Sequence, residues 1–217
     1  MAFIKTIRER NRIHLVPFDK TVWFKGAYST VARTLRTPRR PMRSGEKTTC
    51  IEFVFNGLSG MNVNTLNSDW RKLIESLVRE FPESLCVGTA QKITSILCKY
   101  LYAIWRVCPD KLPEPWRRLI EIIYTMCPIP IDRIVIGKLQ ENYPQDFPDL
   151  QRSTIIQNGK PVAWSKLTDY NVYWSLQERI RTLAENANLT PIEFEARCLW
   201  RPSPKDKGYQ RGQEDYC

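Results

Sequence analysis

The chain has 217 residues, of which 42% are hydrophobic, 11% aromatic and 26% charged. This composition can build the core of one compact domain and excludes a chain that is disordered throughout. Residues 1–49 carry 12 basic and 3 acidic side chains (12 − 3 = +9), whereas the other residues carry 21 basic and 20 acidic (21 − 20 = +1). Such asymmetry favours an anionic partner, with nucleic acid first and an anionic membrane surface second.

The N-terminal part of the chain is basic and interrupted by proline, with aromatic side chains between its charges. We therefore expect residues 1–47 to form a basic arm that packs on the body rather than a free tail. Residues 28–36 fit a short helix. After it, Pro38, Pro41 and Gly45 predict an irregular cationic loop.

Two segments carry β signals. Residues 48–56, TTCIEFVFN, are rich in β-branched and aromatic side chains and end at Asn56-Gly57, which predicts a strand. Within residues 154–164, Asn158-Gly159 is a dipeptide that favours the tight turn of a hairpin. Together they predict a small β element.

Apolar residues at helical spacing dominate the rest of the chain. They predict helices over residues 69–80, 89–106, 116–126, 168–186 and 190–200. Thr168 is the expected cap of the 168–186 helix, and Thr190-Pro191-Ile192-Glu193 has the spacing of a capping box at the start of the last helix. Residues 131–140 fit a short helix or a strand, and we favour the helix. In the 89–106 helix, the spacing places Leu97 toward the core and Lys99 toward solvent.

The predicted fold class is therefore mainly α, a helical domain over residues 48–201 with the small β element from residues 48–56 and 154–164. The alternative is an α+β fold with a larger sheet. Residues 202–217 are polar and predict a loose C-terminal tail. Neither a signal peptide nor an apolar segment of membrane-spanning length is apparent, so we expect a soluble, cytoplasmic protein.

Few enzyme signatures can be found in the sequence. It contains no phosphate loop, no dinucleotide-binding fingerprint and no nucleophile elbow. His14 is the single histidine, and Arg8 precedes it at a spacing similar to that of HEPN-type ribonucleases, although a surface histidine is the better interpretation. The seven cysteines form no Cys-x-x-Cys pair, so we expect no disulfide framework, no metal site and no cofactor.

Two sets of basic residues are candidates for phosphate contacts. The basic segment, residues 33–47, contains a single acid, Glu46, and its guanidinium groups suit bidentate phosphate binding. Its candidate residues are Arg33, Arg36, Arg39, Arg40, Arg43 and Lys47. The basic stripe consists of Lys92, Lys99 and Arg106, which recur every seven residues on one helix, with no acid from Cys86 to Pro109.

Four segments resemble a group of uncharacterised bacterial proteins: GTAQKITSILCKYLYAIW, CPIPIDRIVIGKL, WSKLTDYNVYWSLQERIR and TPIEFEARCLW. In that group a Gly-x-Ala-Gln-Lys helix, a Cys-Pro-x-Asp-Arg segment and a Trp-[Ser/Thr]-Lys-Leu helix start recur in the same order. The resemblance covers residues 66–200, but not the basic N-terminal part, and the extra Ile129-Pro130 departs from the pattern. It implies a helical bacterial protein, points to Gln91, Lys92, Asp132 and Arg133, and implies no catalytic role.

The sequence favours a non-enzymatic nucleic-acid-binding protein that contacts the phosphate backbone through its basic N-terminal region. One alternative is a metal-independent ribonuclease or toxin-like enzyme that would use His14. The other is a structural subunit whose basic arm docks an acidic protein partner. The sequence does not separate DNA from RNA as the ligand.

Overall fold

The structure is a computed structural model that describes residues 20–32, 40–147, 156–157, 160–161 and 168–199. These residues are mainly helical, which confirms the predicted fold class at that level. The helices are α1 Lys20–Ala32, α2 Ser44–Ser59, α3 Leu66–Glu80, α4 Val87–Val107, α5 Glu114–Ile123, α6 Arg133–Asn142, α7 Tyr170–Asn186 and α8 Pro191–Phe194. Short 3₁₀ helices span Val63–Thr65 and Pro109–Lys111, and a π-helix, Glu195–Leu199, directly follows α8. His14, the predicted helix beyond Ala32, and the C-terminal tail lie outside the described residues.

Helix α4 is the centre of the fold. Every side chain from Val87 to Lys99 is buried, and α1, α3 and α5 all pack against the helix. The predicted apolar face is confirmed, with Leu97 only 1% exposed. A helix surrounded in this way buries its polar residues as well, because it has no free face to turn toward water.

The strand predicted at residues 48–56 is wrong, because these residues lie within α2. The buried side chains of this helix are spaced at helical rather than alternating intervals: Cys50, Ile51, Val54, Phe55 and Leu58. Packing of this face against α3 overrides the β propensity of the individual residues. The boundary drawn between residues 47 and 48 also falls inside α2, so the last residues of the expected arm belong to a helix of the body.

Only a short antiparallel ladder lies in the region of the expected hairpin. Strand β1, Ile156–Gln157, pairs with strand β2, Lys160–Pro161, so that Ile156 faces Pro161 and Gln157 faces Lys160. Since residues 48–56 are helical, the small β element proposed from the sequence is not formed in the described part of the chain. A larger sheet is likewise absent from those residues.

Several helix starts have clear causes. Thr190 Oγ1 accepts from the Glu193 amide at 3.3 Å, and the Thr190 amide donates back to Glu193 Oε2 at 3.1 Å, which is the predicted capping box. The regular helix then ends after Phe194 instead of continuing to residue 200. Helix α7 is capped by Asp169 rather than by the expected Thr168.

Among the described residues, no helix has the length and apolar character needed to cross a membrane.

Gly57 allows α2 and α3 to approach closely. A Cβ atom at this position would lie 2.6 Å from Leu73 Cδ1, and Leu73 is only 4% exposed, so its side chain has little room to move. We expect Gly57→Ala to destabilise the protein by about 1–3 kcal/mol through overpacking, despite the roughly 1 kcal/mol better helix propensity of alanine. The free energy of unfolding in urea, followed by circular dichroism, measures this.

Gly45 provides the control in the first turn of the same helix. A Cβ atom there would meet no atom within 4 Å. Gly45→Ala should therefore leave stability unchanged or raise it by up to about 1 kcal/mol. Equal effects at the two glycines would contradict the close approach of α2 and α3.

Candidate functional site

Arg40 attaches the end of the basic segment to the helical body. Its Nη1 and Nη2 donate to both carboxylate oxygens of Glu46 at 2.8 and 2.6 Å, and its Nε donates to Glu83 Oε2 at 2.6 Å. The Arg40 amide also donates to the Glu83 carbonyl oxygen at 3.0 Å. Arg40 therefore acts in the structure as an anchor between the segment, the start of α2 and the turn after α3.

The next residues of the basic segment are held by α1. The Met42 amide donates to the Tyr28 hydroxyl at 2.6 Å, and the Met42 side chain is buried. The Lys47 ammonium lies 5.3 Å from the centre of the Tyr28 ring, a cation–π contact. Arg43 is exposed, while its amide donates to Glu46 Oε2 at 2.7 Å. Arg33, Arg36 and Arg39 lie outside the described residues.

The two lysines of the basic stripe on α4 face the interior. Lys92 Nζ lies 2.9 Å from Asp132 Oδ2, and Lys99 Nζ lies 2.7 Å from Glu195 Oε2. The two lysines are 8% and 9% exposed, so the expectation that Lys99 faces solvent is wrong. Because both ammonium groups are buried and paired, neither lysine can contact a phosphate backbone in this structure.

The third member of the stripe, Arg106, is exposed, but its Nη2 lies 3.7 Å from Glu193 Oε1. Each basic residue of the stripe thus faces an acid from the C-terminal half of the chain. The acids are distant in sequence, which is why the acid-free stretch around α4 suggested a free cationic face. Their identity could not be obtained from helical periodicity, since periodicity shows which residues share a face and not what covers it.

Two glutamines hold the buried loop that precedes α6. Gln91 on α4 donates to the Ile131 carbonyl oxygen at 3.0 Å and accepts from the Ile131 amide at 3.3 Å. Gln177 on α7 makes the same pair of contacts with Ile129, at 2.6 and 3.0 Å. These bonds supply the buried backbone groups with the partners that a loop in a core otherwise lacks.

Three of the four residues to which the resemblance points lie close together. Gln91 and Lys92 contact Ile131 and Asp132, so the two motifs meet between α4 and the loop before α6. Asp132 also caps α6, because its Oδ1 accepts from the Ile134 and Val135 amides at 2.9 and 3.1 Å. Arg133 is exposed and does not join this cluster.

Glu195, which the sequence interpretation missed, is the most unusual ionisable group near α4. It is 6% exposed and is the first residue of the π-helix, a rare geometry often found at functional sites. Burial raises the pKa of the Glu195 carboxyl, while the adjacent Lys99 ammonium opposes that shift. The charges of Lys92 and Asp132 also act on Glu195, so the two ion pairs form one electrostatic cluster.

Thiols complete the surroundings of this cluster. Cys98 and Cys127 are free and fully buried, and the pKa of Cys127 is raised by its hydrogen bond with Cys98 and by burial. A buried, protonated thiol is a poor nucleophile and metal ligand. Within the described ranges, no three His, Cys, Asp or Glu side chains are grouped so that they could hold a metal ion. Cys198 is disulfide-bonded.

Compared with protein-family models, curated proteins and solved structures, the chain has no match. The function is therefore argued from the residues themselves.

Removing one partner of the Lys99–Glu195 ion pair should destabilise the core far more than replacing both partners with apolar side chains. Lys99→Met leaves a buried carboxylate without its cation, and we expect a loss of about 3–5 kcal/mol in the free energy of unfolding. Glu195→Leu should cost a similar amount. The double variant should lose clearly less than the sum, because two apolar side chains of similar volume replace the pair.

Lys72 is the matched control, since its side chain is 77% exposed and its Nζ lies 3.8 Å from Asp69 Oδ1. Lys72→Met should change stability by no more than about 0.5 kcal/mol. Additive losses at Lys99 and Glu195, or equal losses at Lys99 and Lys72, would contradict the buried ion pair.

The Arg40–Glu46 contact predicts a pH dependence. The hydrogen bonds from Arg40 lower the pKa of Glu46 from its ordinary 4.5 to about 2. A carboxyl with a depressed pKa stabilises the fold above its ordinary pKa and loses that contribution as pH falls toward the lower value. The melting temperature of Glu46→Gln should therefore lie below that of the wild type at neutral pH, with the gap closing between pH 4.5 and pH 2. A gap that stays constant with pH would show that the carboxylate charge is not involved.

Proposed function

We propose that the protein binds nucleic acid without catalysing a reaction, and that it contacts the phosphate backbone through the basic segment, residues 33–47. The proposal starts from the positive charge that the sequence concentrates at one end of an otherwise nearly neutral chain. The proposal includes a cytoplasmic location and membership of the bacterial group that the chain resembles. It requires no metal and no cofactor.

The state of Glu46 is the single observation that carries the proposal. Glu46 is the only acid in the basic segment, and it is bound by both terminal nitrogens of Arg40 and by the Arg43 amide. Its charge is therefore balanced within the structure and is not available to neutralise other cations. The segment keeps a strong positive excess from Arg33, Arg36, Arg39, Arg43 and Lys47.

Anchoring of the segment also supports the proposal. Helix α1 ends at Ala32, directly before the segment, and within the segment Arg40 and Met42 contact Glu83 and Tyr28. Arg43 and Lys47 are thereby held on the helical body, and cations held in this way lose less conformational entropy on binding a phosphate than cations on a free tail. The basic stripe of α4 no longer contributes, because Lys92 and Lys99 are already paired inside the protein.

Four arginines should account for most of the affinity for nucleic acid. We expect the variant Arg33→Ala, Arg36→Ala, Arg39→Ala and Arg43→Ala, which leaves the Arg40 anchor in place, to bind weakly. The slope of log K against log salt should fall by about 0.7–0.9 for each phosphate contact removed. Fluorescence anisotropy with labelled single-stranded RNA, single-stranded DNA and duplex DNA, at several salt concentrations, measures the slope and identifies the preferred ligand.

The matched control removes four exposed cations from the helical body. Lys72, Arg79, Arg118 and Arg133 are all exposed, and their replacement by Ala produces the same change in net charge. This variant should retain the wild-type salt slope. If it loses as much affinity as the first variant, binding follows net charge and the basic segment is not a site; if neither variant changes binding, the proposal fails.

A further inference from the structure

Arg181 on α7 has two side-chain nitrogens without a hydrogen-bond acceptor among the described residues. Its Nε and Nη2 atoms are shielded from solvent, and neither has a hydrogen-bond acceptor in the part of the chain that the structure describes. The side chain as a whole is half-buried, so this guanidinium lies near the surface. Burial lowers the pKa of Arg181, which shows that nearby charges do not compensate its desolvation.

Neighbouring residues orient the guanidinium without satisfying it. The Trp174 ring packs against Arg181, with the guanidinium carbon 5.6 Å from the ring centre. Glu178, three residues before Arg181 on the same helix, is a candidate for an ion pair, but it accepts from Trp174 Nε1 at 2.8 Å. Glu178 and Glu185 act on Arg181 only through their charges.

Two other arginines also lie against aromatic rings, but unlike Arg181 they donate side-chain hydrogen bonds to described residues. Arg71 lies 5.3 Å from the centre of the Tyr170 ring and donates to Glu75 and Asn171. Arg179 lies 5.8 Å from the Phe147 ring and donates to the Asp146 carbonyl oxygen. Stacking on an aromatic ring therefore does not by itself leave a guanidinium without acceptors.

The pattern of unused donors is specific. Nε and Nη2 form one edge of the guanidinium plane, and their N–H groups are parallel, which matches the two oxygens of a carboxylate or phosphate. Leaving both donors of a shielded cation unpaired is unfavourable, because the nitrogens lose their hydrogen bonds to water and gain none in the protein. A group that presents two oxygens to this edge would remove that cost.

We propose that Arg181, supported by Trp174, is a binding site for an oxyanion, the phosphate or carboxylate group of a ligand. The ligand accepts two parallel hydrogen bonds from Nε and Nη2, while the indole ring keeps the guanidinium plane fixed. Because both nitrogens are shielded, the covering groups shift when the anion enters. The site is built from residues outside the basic segment and does not depend on the proposed function.

The test compares the melting temperature of the full chain in inorganic phosphate, in acetate and in chloride at constant ionic strength and pH. The wild type should be stabilised saturably by phosphate or by acetate relative to chloride, by about 3–6 °C at a tenfold excess over Kd. Whichever anion stabilises the wild type, phosphate or acetate, identifies the chemical class of the ligand's oxyanion. Arg181→Met should lose this increment, and Arg179→Met, the matched control two residues away, should retain it.

Phosphate that binds at the basic segment stabilises the wild type, Arg181→Met and Arg179→Met alike. Binding at Arg181 is therefore measured as the difference between the wild type and Arg181→Met in the melting-temperature increase. In chloride alone, Arg181→Met should melt at or above the wild-type temperature, because it removes an unsatisfied cation. A lower melting temperature there would show that the chain itself supplies the acceptors and would overturn the proposal. Equal responses to both anions in the wild type and Arg181→Met would also overturn it.

Discussion

The fold depends on how α4 satisfies the charges that it carries into the core. Lys92 and Lys99 are inside because the helix is covered on all sides from Val87 to Lys99, and a buried ammonium is tolerated only with a counter-ion and hydrogen bonds. The counter-ions, Asp132 and Glu195, are 40 and 96 residues away in sequence. A buried ion pair often stabilises a core no more than well-packed apolar side chains would. We therefore infer that these two pairs act mainly by specifying which segments lie against α4.

The same constraint bears on the segment after Thr190. Glu193 lies against Arg106 while Glu195 contacts Lys99, although residues two apart on an α-helix point about 200° apart. Both acids nevertheless reach the same partner helix, and the backbone changes from α to π geometry at Glu195. A regular α-helix that continued through Glu195 would direct one of the two carboxylates away from α4, and the change to π geometry occurs at this residue.

Sequence patterns predicted the features that depend on local spacing and missed those that depend on distant partners. The α4 face with Leu97 and the Thr190–Glu193 capping box follow from intervals of three to seven residues. The strand predicted at 48–56 does not form, because the helical spacing of its buried side chains outweighs the β propensity of the individual residues. The burial of Lys99 could not be predicted, because nothing within its own helix indicates Glu195.

Pairing inside the core sharpens the charge distribution at the surface. With Lys92 and Lys99 balanced by Asp132 and Glu195, the stripe adds little to the external field, and the excess of +9 in residues 1–49 stands out more clearly. The two anion sites that we propose then differ physically. Arg43, the exposed cation of the basic segment in the described part of the chain, interacts through solvent and is screened by salt over a distance of about 10 Å at 0.1 M. Arg181 is shielded beside Trp174, so its contact with an oxyanion depends on hydrogen-bond geometry and is far less sensitive to salt.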